Sequence, residues 1–347
     1  MKDNKKPHFL NFSPLLAENY MITNGQKKFR TKQLLDWVYK KRINSFDDCS
    51  DLSAEFREKL KNDFTLYTFE IKDKKVSALD GSIRYYFSTA HGDEVITVFM
   101  PNPERNTICL SSQVGCPVKC TFCASGSVDF KRNLTRGEIL EQLLQVERDT
   151  KLSTDSVLFM GMGEPLMNYE NVVNAVHSLT SPEQFAYGRR KIVISTAGLV
   201  PQIEKLSQEN ISVKLALSLH GADDETRRKI VPSIIPYKVE DILQAGLNYG
   251  RQTKSSVTIE YVLIEGINDD LQQAEKLADL IQEYLYRTDR LKINIIPHNP
   301  TGVDRFKRPS DEKIQSFKDC FMRRDLTAII RESKGTDIGA ACGQLTI

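Results

Sequence analysis

From Thr107 onward, short apolar runs alternate with amphipathic stretches, and this alternation constrains the fold more than any other feature of the chain. The apolar runs are Thr107–Ser111, Ser156–Met160, Lys191–Ser195, Val213–Leu219, Ser256–Ile264 and Lys292–Ile296. Helical patterns such as Arg136–Lys151, Asp241–Thr253 and Leu271–Tyr286 lie between them. Thr135 and Glu138 stand at capping-box spacing where the first of these helices begins. A buried strand followed by a helix implies a parallel βα unit, because parallel neighbours need a long crossover. Six such units give an α/β fold, a partial (βα)6 barrel rather than a closed eight-fold one, with Thr327–Glu332 as a seventh strand at its edge.

The chain before the barrel divides in two. Residues 1–75 have a helical pattern. FRTKQLLDWVYKKR places Phe29, Leu34, Leu35 and Val38 near helical spacing, with Lys and Arg on the other face. SAEFREKLKNDF opens on Ser53, a capping residue, and gives a second short helix. Residues 76–106 alternate around His91, Gly92 and Asp93, which predicts a β-hairpin extension. The barrel then occupies 107–334, and 335–347 form a glycine-containing tail, expected to be mobile.

Charge separates these parts. Net charge is +2, yet residues 1–42 hold ten Lys or Arg against three Asp or Glu. A local +7 on a body near −5 suggests a polyanion partner, most simply a nucleic acid; a solvated basic end is the plain alternative. At 40% hydrophobic and 27% charged, the chain can bury a sizeable core. No run of 18 apolar residues occurs, so no membrane span is expected. MKDNKKPHFLNFSPLLAENY does not resemble a signal peptide, which makes a cytoplasmic location the expectation.

In a parallel βα array, function collects in the loops beyond the strand C-termini. The unusual sequences sit there: SSQVGCPVKCTFC after the first strand, GMGEP after the second, STAG and SLH ending the third and fourth, HNP after the sixth. Of seven cysteines, three fall within eight residues as Cys116-x3-Cys120-x2-Cys123. A structural zinc wants four Cys or His ligands. His220 and His298 are available, but neither is paired at ligand spacing. Three thiolates suit a 4Fe–4S cluster with one iron left open for a small chelating molecule.

This Cys-x3-Cys-x2-Cys loop resembles the signature of the radical S-adenosylmethionine (SAM) superfamily. The resemblance implies that the amine and carboxylate of SAM chelate the open iron, and that reduction cleaves the sulfonium to a 5′-deoxyadenosyl radical. It also makes the barrel a radical SAM barrel, with Phe122 shielding the adenine. Gly163-Glu164 within GMGEP resembles the superfamily segment that binds the methionyl amine.

SSQVGC, MGMGEPL-N, ISTAG, ALSLH, VTIEYVLIEGIND, INIIPHNP and GTDIGAACGQL together resemble one family, the RlmN/Cfr RNA adenine methyltransferases, over nearly the whole chain. That resemblance implies the following. Cys342 is the methyl carrier, S-methylated by one SAM. A second SAM supplies the radical that takes a hydrogen atom from the S-methyl group, and the carbon radical adds to an adenine. Cys109 resolves the protein–RNA crosslink, leaving a disulfide with Cys342. Gly163, Glu164, Ser195, Ser218, Leu219, His220 and Asn299 contact SAM. The partners implied are 23S rRNA, tRNA as a further substrate, and an electron donor such as flavodoxin or ferredoxin. GMGEP and IPHNP favour RlmN-type methylation at C2 over Cfr-type methylation at C8. Chemistry agrees that a radical is needed, since adenine C2 is an amidine carbon and no nucleophile. A non-catalytic RNA-binding protein with a structural metal is the alternative of another class. Cys49 and Cys320 match no functional position and are expected to be packing residues.

One departure concerns a carboxylate. The family carries a glutamate proton acceptor in the strand before the cluster loop, where this chain reads Val95-Ile96-Thr97-Val98. Glu94, two positions earlier and on the same strand face, is the candidate substitute.

Overall fold

Serine caps start the first helices. Ser13 and Ser53 accept backbone N–H bonds from Leu16 and Phe56, opening helices Pro14–Thr23 and Ala54–Asp63. The computed structural model describes residues 6–232, 234–302 and 306–347; the cations Lys2 and Lys5 of the basic end lie outside the described residues. Between the two capped helices, Phe29–Leu35 runs into a π turn, Asp36–Lys40. Leu34, Leu35 and Val38 bury against Phe9, Met21, Phe56 and Leu60. Phe29 does not join them and is 54% exposed, with Arg30 against its ring. Five residues of helix turn it about 140° away from Leu34, outside the buried stripe.

The helical stretch ends at Asp63 rather than near residue 75, and Phe69–Val76 is a strand, β1. Every residue of β1 after Phe69 is exposed. An edge strand with charge on both faces shows no alternation and so leaves no strand pattern in the sequence. β2 (Ile83–Thr89) and β3 (Glu94–Met100) form the expected hairpin, but it is not a separate extension. β1, β2 and β3 run antiparallel into β4 (Thr107–Cys109), the first barrel strand, as one sheet.

After β4 come the two-residue pair β5 (Gln113–Val114) and β6 (Arg132–Asn133), which brackets the cysteine loop. The remaining barrel strands are β7 (Ser156–Phe159), β8 (Ile192–Thr196), β9 (Lys214–Ser218), β10 (Val257–Leu263), β11 (Leu291–Pro297) and β12 (Ala328–Ile330). From β4 through β7 to β12 all neighbours are parallel, and six α-helices longer than eight residues, from Arg136–Thr150 to Asp311–Met322, cross between them. The expected capping box is present, with Thr135 and Glu138 each satisfying the other's backbone.

Alternation along the strands sorts the two faces. Ile192 and Ile194 of β8 are fully buried under the helices, whereas Val193 and Ser195 face the concave side and are only partly covered. By register, Ser195 lies beside Ala216 and Thr258, and Ser218 beside Glu260 and Asn294, so these residues share the concave face. β4 and β12 do not pair, which leaves the barrel open.

The C-terminal tail covers part of that opening. Ala340 and Leu345 pack with Ile96, Val98, Cys109 and Met162. The buried Arg84 of β2 donates to the carbonyls of Gly339 and Thr346, and Asp337 accepts from Ser77 Oγ and Ala78 N. The tail is therefore pinned, contrary to the mobility expected of its glycines. The N-terminal module is tied to the barrel at helix Arg136–Thr150. There the buried Glu141 accepts from the backbone N–H groups of Thr68 and Phe69, and Arg42 pairs with Glu147.

Candidate active site

The cysteine loop owes its shape to backbone that only glycine tolerates. Gly115 has φ +73°, and a Cβ there would lie 2.2 Å from the Asp129 carbonyl oxygen. The loop then turns so that Cys116, Cys120 and Cys123 all line one half-open cavity of about 170 Å³ at the C-terminal mouth of the barrel. Burial pushes the Cys116 thiol up to about 12 and the Cys120 and Cys123 thiols up as well. Such thiols are protonated when free and must lose protons to bind iron.

The donor set fits a cluster better than a single ion. Zinc bonds of about 2.3 Å would draw the sulfurs to within about 4 Å of each other. Among the described residues, no three Cys, His, Asp or Glu side chains are gathered closely enough to hold one metal ion. Three thiols spread around one cavity, too far apart to close on a single ion, match a 4Fe–4S cluster with one iron free.

The other expected residues largely converge on this space. Gly163, Glu164, Ser195, Ser218, His220 and Asn299 line it, as does Cys342. Gly163 has φ +100°, and a Cβ would meet Gln113 at 2.6 Å; Gln113 Oε1 in turn accepts the Glu164 N–H at 2.8 Å. Glu164 is buried, its two oxygens accepting from Leu166 N at 3.0 Å and Ala197 N at 2.7 Å. Desolvation raises its carboxyl to about 7 despite these bonds. Ser195 Oγ and Ser218 Oγ lie 3.1 Å apart, side by side on neighbouring strands. His220 accepts the Val262 N–H at Nδ1, at 3.1 Å, and stacks edge-on against Phe122. Burial holds its imidazole down at about 3, so it is a neutral group. Leu219 is the exception: its side chain is fully buried in the core, outside the cavity.

Cys109, at the end of β4, is buried and lines an adjoining cavity that shares Cys342, Cys123 and Met160 with the first. Cys342 is exposed; Asn299 Nδ2 donates to its carbonyl at 3.1 Å, and Gly343 O accepts from Ala124 N at 2.7 Å. The carrier candidate is thus held by Asn299 at its own carbonyl and fastened beside the cysteine loop through the next residue, Gly343. Cys49 and Cys320 are buried packing residues away from both cavities.

Glu94 is not brought to either cavity. It begins β3, where Lys72 engages its carboxylate. Val98 is the β3 residue beside Cys109, and four residues of strand put Glu94 about 13 Å further along. The shared strand face was a correct inference, but the distance along the strand removes Glu94 as a proton acceptor.

Three charged residues beside the site, Arg227 and Glu260 buried and Arg331 partly so, were not among the residues expected from sequence. Arg227 donates to the carbonyls of Ser218, Leu219 and Ala197, tying the ends of β8 and β9 together. Glu260 and Arg331 line the first cavity as a pair 3.6 Å apart. Of these, only Glu260 could have been noticed, as a carboxylate within the otherwise apolar run VTIEYVLI.

This barrel mouth defines the chain as a radical SAM enzyme, and the Radical SAM superfamily model matches residues 110–281. A second model, the ribosomal RNA large subunit methyltransferase N-terminal domain, matches residues 8–66, the helical module. A probable dual-specificity RNA methyltransferase RlmN of Endomicrobium trichonymphae is 41% identical over 345 residues, covering 99% of each chain. One from Thermotoga maritima is 43% identical, covering 97% of this chain and 96% of its own. The crystal structure of a radical SAM methyltransferase from Sphaerobacter thermophilus superposes with a TM-score of 0.91 at 36% identity, covering 97% of this chain and 98% of that one. The chain belongs to the RlmN family of radical SAM RNA methyltransferases. No helix among its described residues is long and apolar enough to cross a membrane.

Proposed function

We propose that this protein methylates C2 of an adenine in 23S rRNA and in tRNA, with Cys342 as the methyl carrier and Cys109 as the resolving thiol. The observation that carries this reading is the second cavity. It places two cysteines that the cluster does not use in one space, directly beside the cysteine loop. The relatives' printed names, probable dual-specificity RNA methyltransferase RlmN, support more than one RNA substrate, and the resemblance of GMGEP and IPHNP favours C2 over the C8 alternative. When bound, SAM and a 4Fe–4S cluster supply the methyl group and a carbon-centred radical.

The chain's own residues have separable tasks. Cys116, Cys120 and Cys123 hold the cluster. Glu164 accepts hydrogen bonds from the methionyl amine, while Ser195, Ser218, His220 and Asn299 orient the rest of SAM. The exposed Cys342 sulfur takes the methyl group. Asn299 holds the Cys342 carbonyl, so the residue that contacts SAM also sets the position of the carrier. A cluster held by these cysteines would draw its electron from a low-potential donor of the flavodoxin or ferredoxin type, and the basic module grips RNA phosphates.

Two cysteine variants test this scheme. Cys342→Ala retains iron and transfers no methyl to RNA. Cys109→Ala forms the carbon–sulfur link to adenine and stops there, which gives an RNase-sensitive band shift through Cys342. Nucleoside analysis of treated RNA identifies 2-methyladenosine. Finding 8-methyladenosine instead would move the chain to the Cfr reaction, and normal turnover by Cys109→Ala would end the resolving role.

A further inference from the structure

Arg331 follows β12 and is the one residue with a cationic side chain that lines both cavities, among the described residues. Its backbone N–H is anchored on Ile295 O at 2.8 Å. Its guanidinium lies 3.6 Å from Glu260 Oε2 and reaches Met160 Sδ at 3.9 Å. Glu260 is itself fixed: Asn294 Nδ2 donates to Oε1 at 2.9 Å, while Oε2 is buried without a hydrogen bond. A buried carboxylate with one bare oxygen is costly unless a cation stands against it. Glu260 therefore keeps the guanidinium in the wall between the SAM-side cavity and the cysteine pair.

Cys109 needs such a neighbour. Burial pushes its thiol up to about 12, the nearby Cys342 sulfur pushes in the same direction, and Arg331 is the one side chain that opposes them. The surroundings leave few alternatives. The charged or titratable groups facing this cavity are Arg331, Glu332 and Lys334 after β12, Cys123 on the cysteine loop and Cys342 on the tail. β3, β7 and β11 present only apolar side chains to it. Glu332 and Lys334 are solvent-exposed, where opposite charges are screened.

We propose that Arg331, held by Glu260, is a positioning residue for crosslink resolution: its charge stabilises the Cys109 thiolate that attacks the Cys342 sulfur. In that step the Cys109–Cys342 S–S bond forms as the bond from the Cys342 sulfur to the methylene carbon breaks. The electron pair passes to that carbon, which takes up a proton and becomes the methyl group. The two cysteine sulfurs are oxidised and the carbon is reduced, so no outside oxidant enters. The proposal rests on the reading of Cys109 as the resolving thiol. It assigns Arg331 to the last chemical step and not to the radical step.

The test follows the lifetime of the covalent protein–RNA adduct in single turnovers by cluster-loaded, full-length protein, between pH 6 and 9. Arg331 is the cation in the lining of the cavity that opposes the burial of the Cys109 thiol, and losing it raises that thiol by about one unit, so Arg331→Met resolves the adduct about tenfold more slowly at neutral pH. Across this range both proteins lie well below the thiol's own value, so both gain speed in parallel with rising pH and the variant stays about tenfold slower throughout. Adduct decay is read per adduct formed, so slower earlier steps do not affect it. Arg331→Gln, which keeps polar contacts, behaves like Arg331→Met, and Arg331→Lys restores most of the rate. An unchanged lifetime at every pH in both neutral variants overturns the proposal, as does Arg331→Lys performing no better than they do. If Cys109→Ala itself leaves no lasting adduct, the reading of Cys109 falls and this proposal falls with it; if that adduct persists and only the Arg331 variants look normal, the assignment of Arg331 alone is wrong.

Discussion

Glu164 shows how one residue's environment sets a measurable pH dependence. Burial lifts its carboxyl to about 7, so the empty site holds a mixture of acid and carboxylate at neutral pH. Below that value the proton must be removed before the group can accept bonds from an amine, and each pH unit costs about 1.4 kcal/mol, or tenfold in affinity. We expect SAM affinity of cluster-loaded protein, measured by anaerobic equilibrium binding, to fall steeply from pH 7 to 5.5. Glu164→Gln should bind more weakly at pH 8 and lack that acidic limb, whatever titration the amine itself contributes. Parallel pH profiles for the two proteins would remove Glu164 from amine recognition. The glutamate was legible in GMGEP because it follows a strand and sits among glycines. Its two backbone bonds, to Leu166 and Ala197, were not, because one of them joins loops 33 residues apart in sequence.

At the scale of elements, the C-terminal tail is the part whose behaviour the sequence hides. Its glycines suggest freedom, yet Arg84 on β2 closes on Gly339 and Thr346 from more than 250 positions away. Cutting that side chain leaves carbonyls to find water and loosens the segment that carries Cys342. Arg84→Ala is expected to retain iron, to expose residues 335–347 to faster proteolysis and amide exchange, and to show less S-methylation of Cys342 by intact mass. Unchanged exchange in the tail would show that the packing of Ala340 and Leu345 suffices to hold it. The barrel strands were legible almost to the residue because their outer faces are uniformly apolar, and three of the six crossing helices open on a side-chain cap. β1 was not, since an exposed charged edge strand carries no period. Arg227 and Arg331 were missed for a related reason: an arginine at a site looks like any surface arginine until the fold supplies its carbonyls or carboxylate. The Glu94 inference failed on rise per residue, since a common face does not shorten the 13 Å or so between positions four apart.

At the scale of the whole molecule, the question is how a basic module and a barrel mouth act on one RNA. The formal +7 of residues 1–42 overstates the charge offered to a partner. Lys28 is paired with Glu18, Lys40 with Asp36, and Arg42 is spent on Glu147 at the junction with the barrel. Arg30 bonds Gln33 and the Asp51 carbonyl, while Lys27 and Lys32 stand exposed beside it. The junction fixes the module's orientation, because Glu141 and Glu147 are nearly fully buried within the helix that begins above the cysteine loop. Phosphates gripped on the module are therefore held at a set distance from Cys342, and that grip carries position rather than base identity. Each phosphate contact contributes about 0.7 to 0.9 to the slope of log affinity against log salt. Replacing Lys27, Lys28 and Lys32 with Gln should weaken RNA binding at low salt and flatten that slope by about 2, since three contacts at most are lost and Lys28 is partly committed to Glu18. SAM cleavage without RNA should be unaffected, because none of the three lines either cavity. An unstructured fragment holding the target adenine should lose less binding from the substitutions than the folded RNA, because the base must leave its stack to reach the mouth and a preformed single strand has already met that cost. If the slope and affinity of the triple variant match the wild type on both RNAs, the basic end is a solvated face and the barrel alone recognises the substrate.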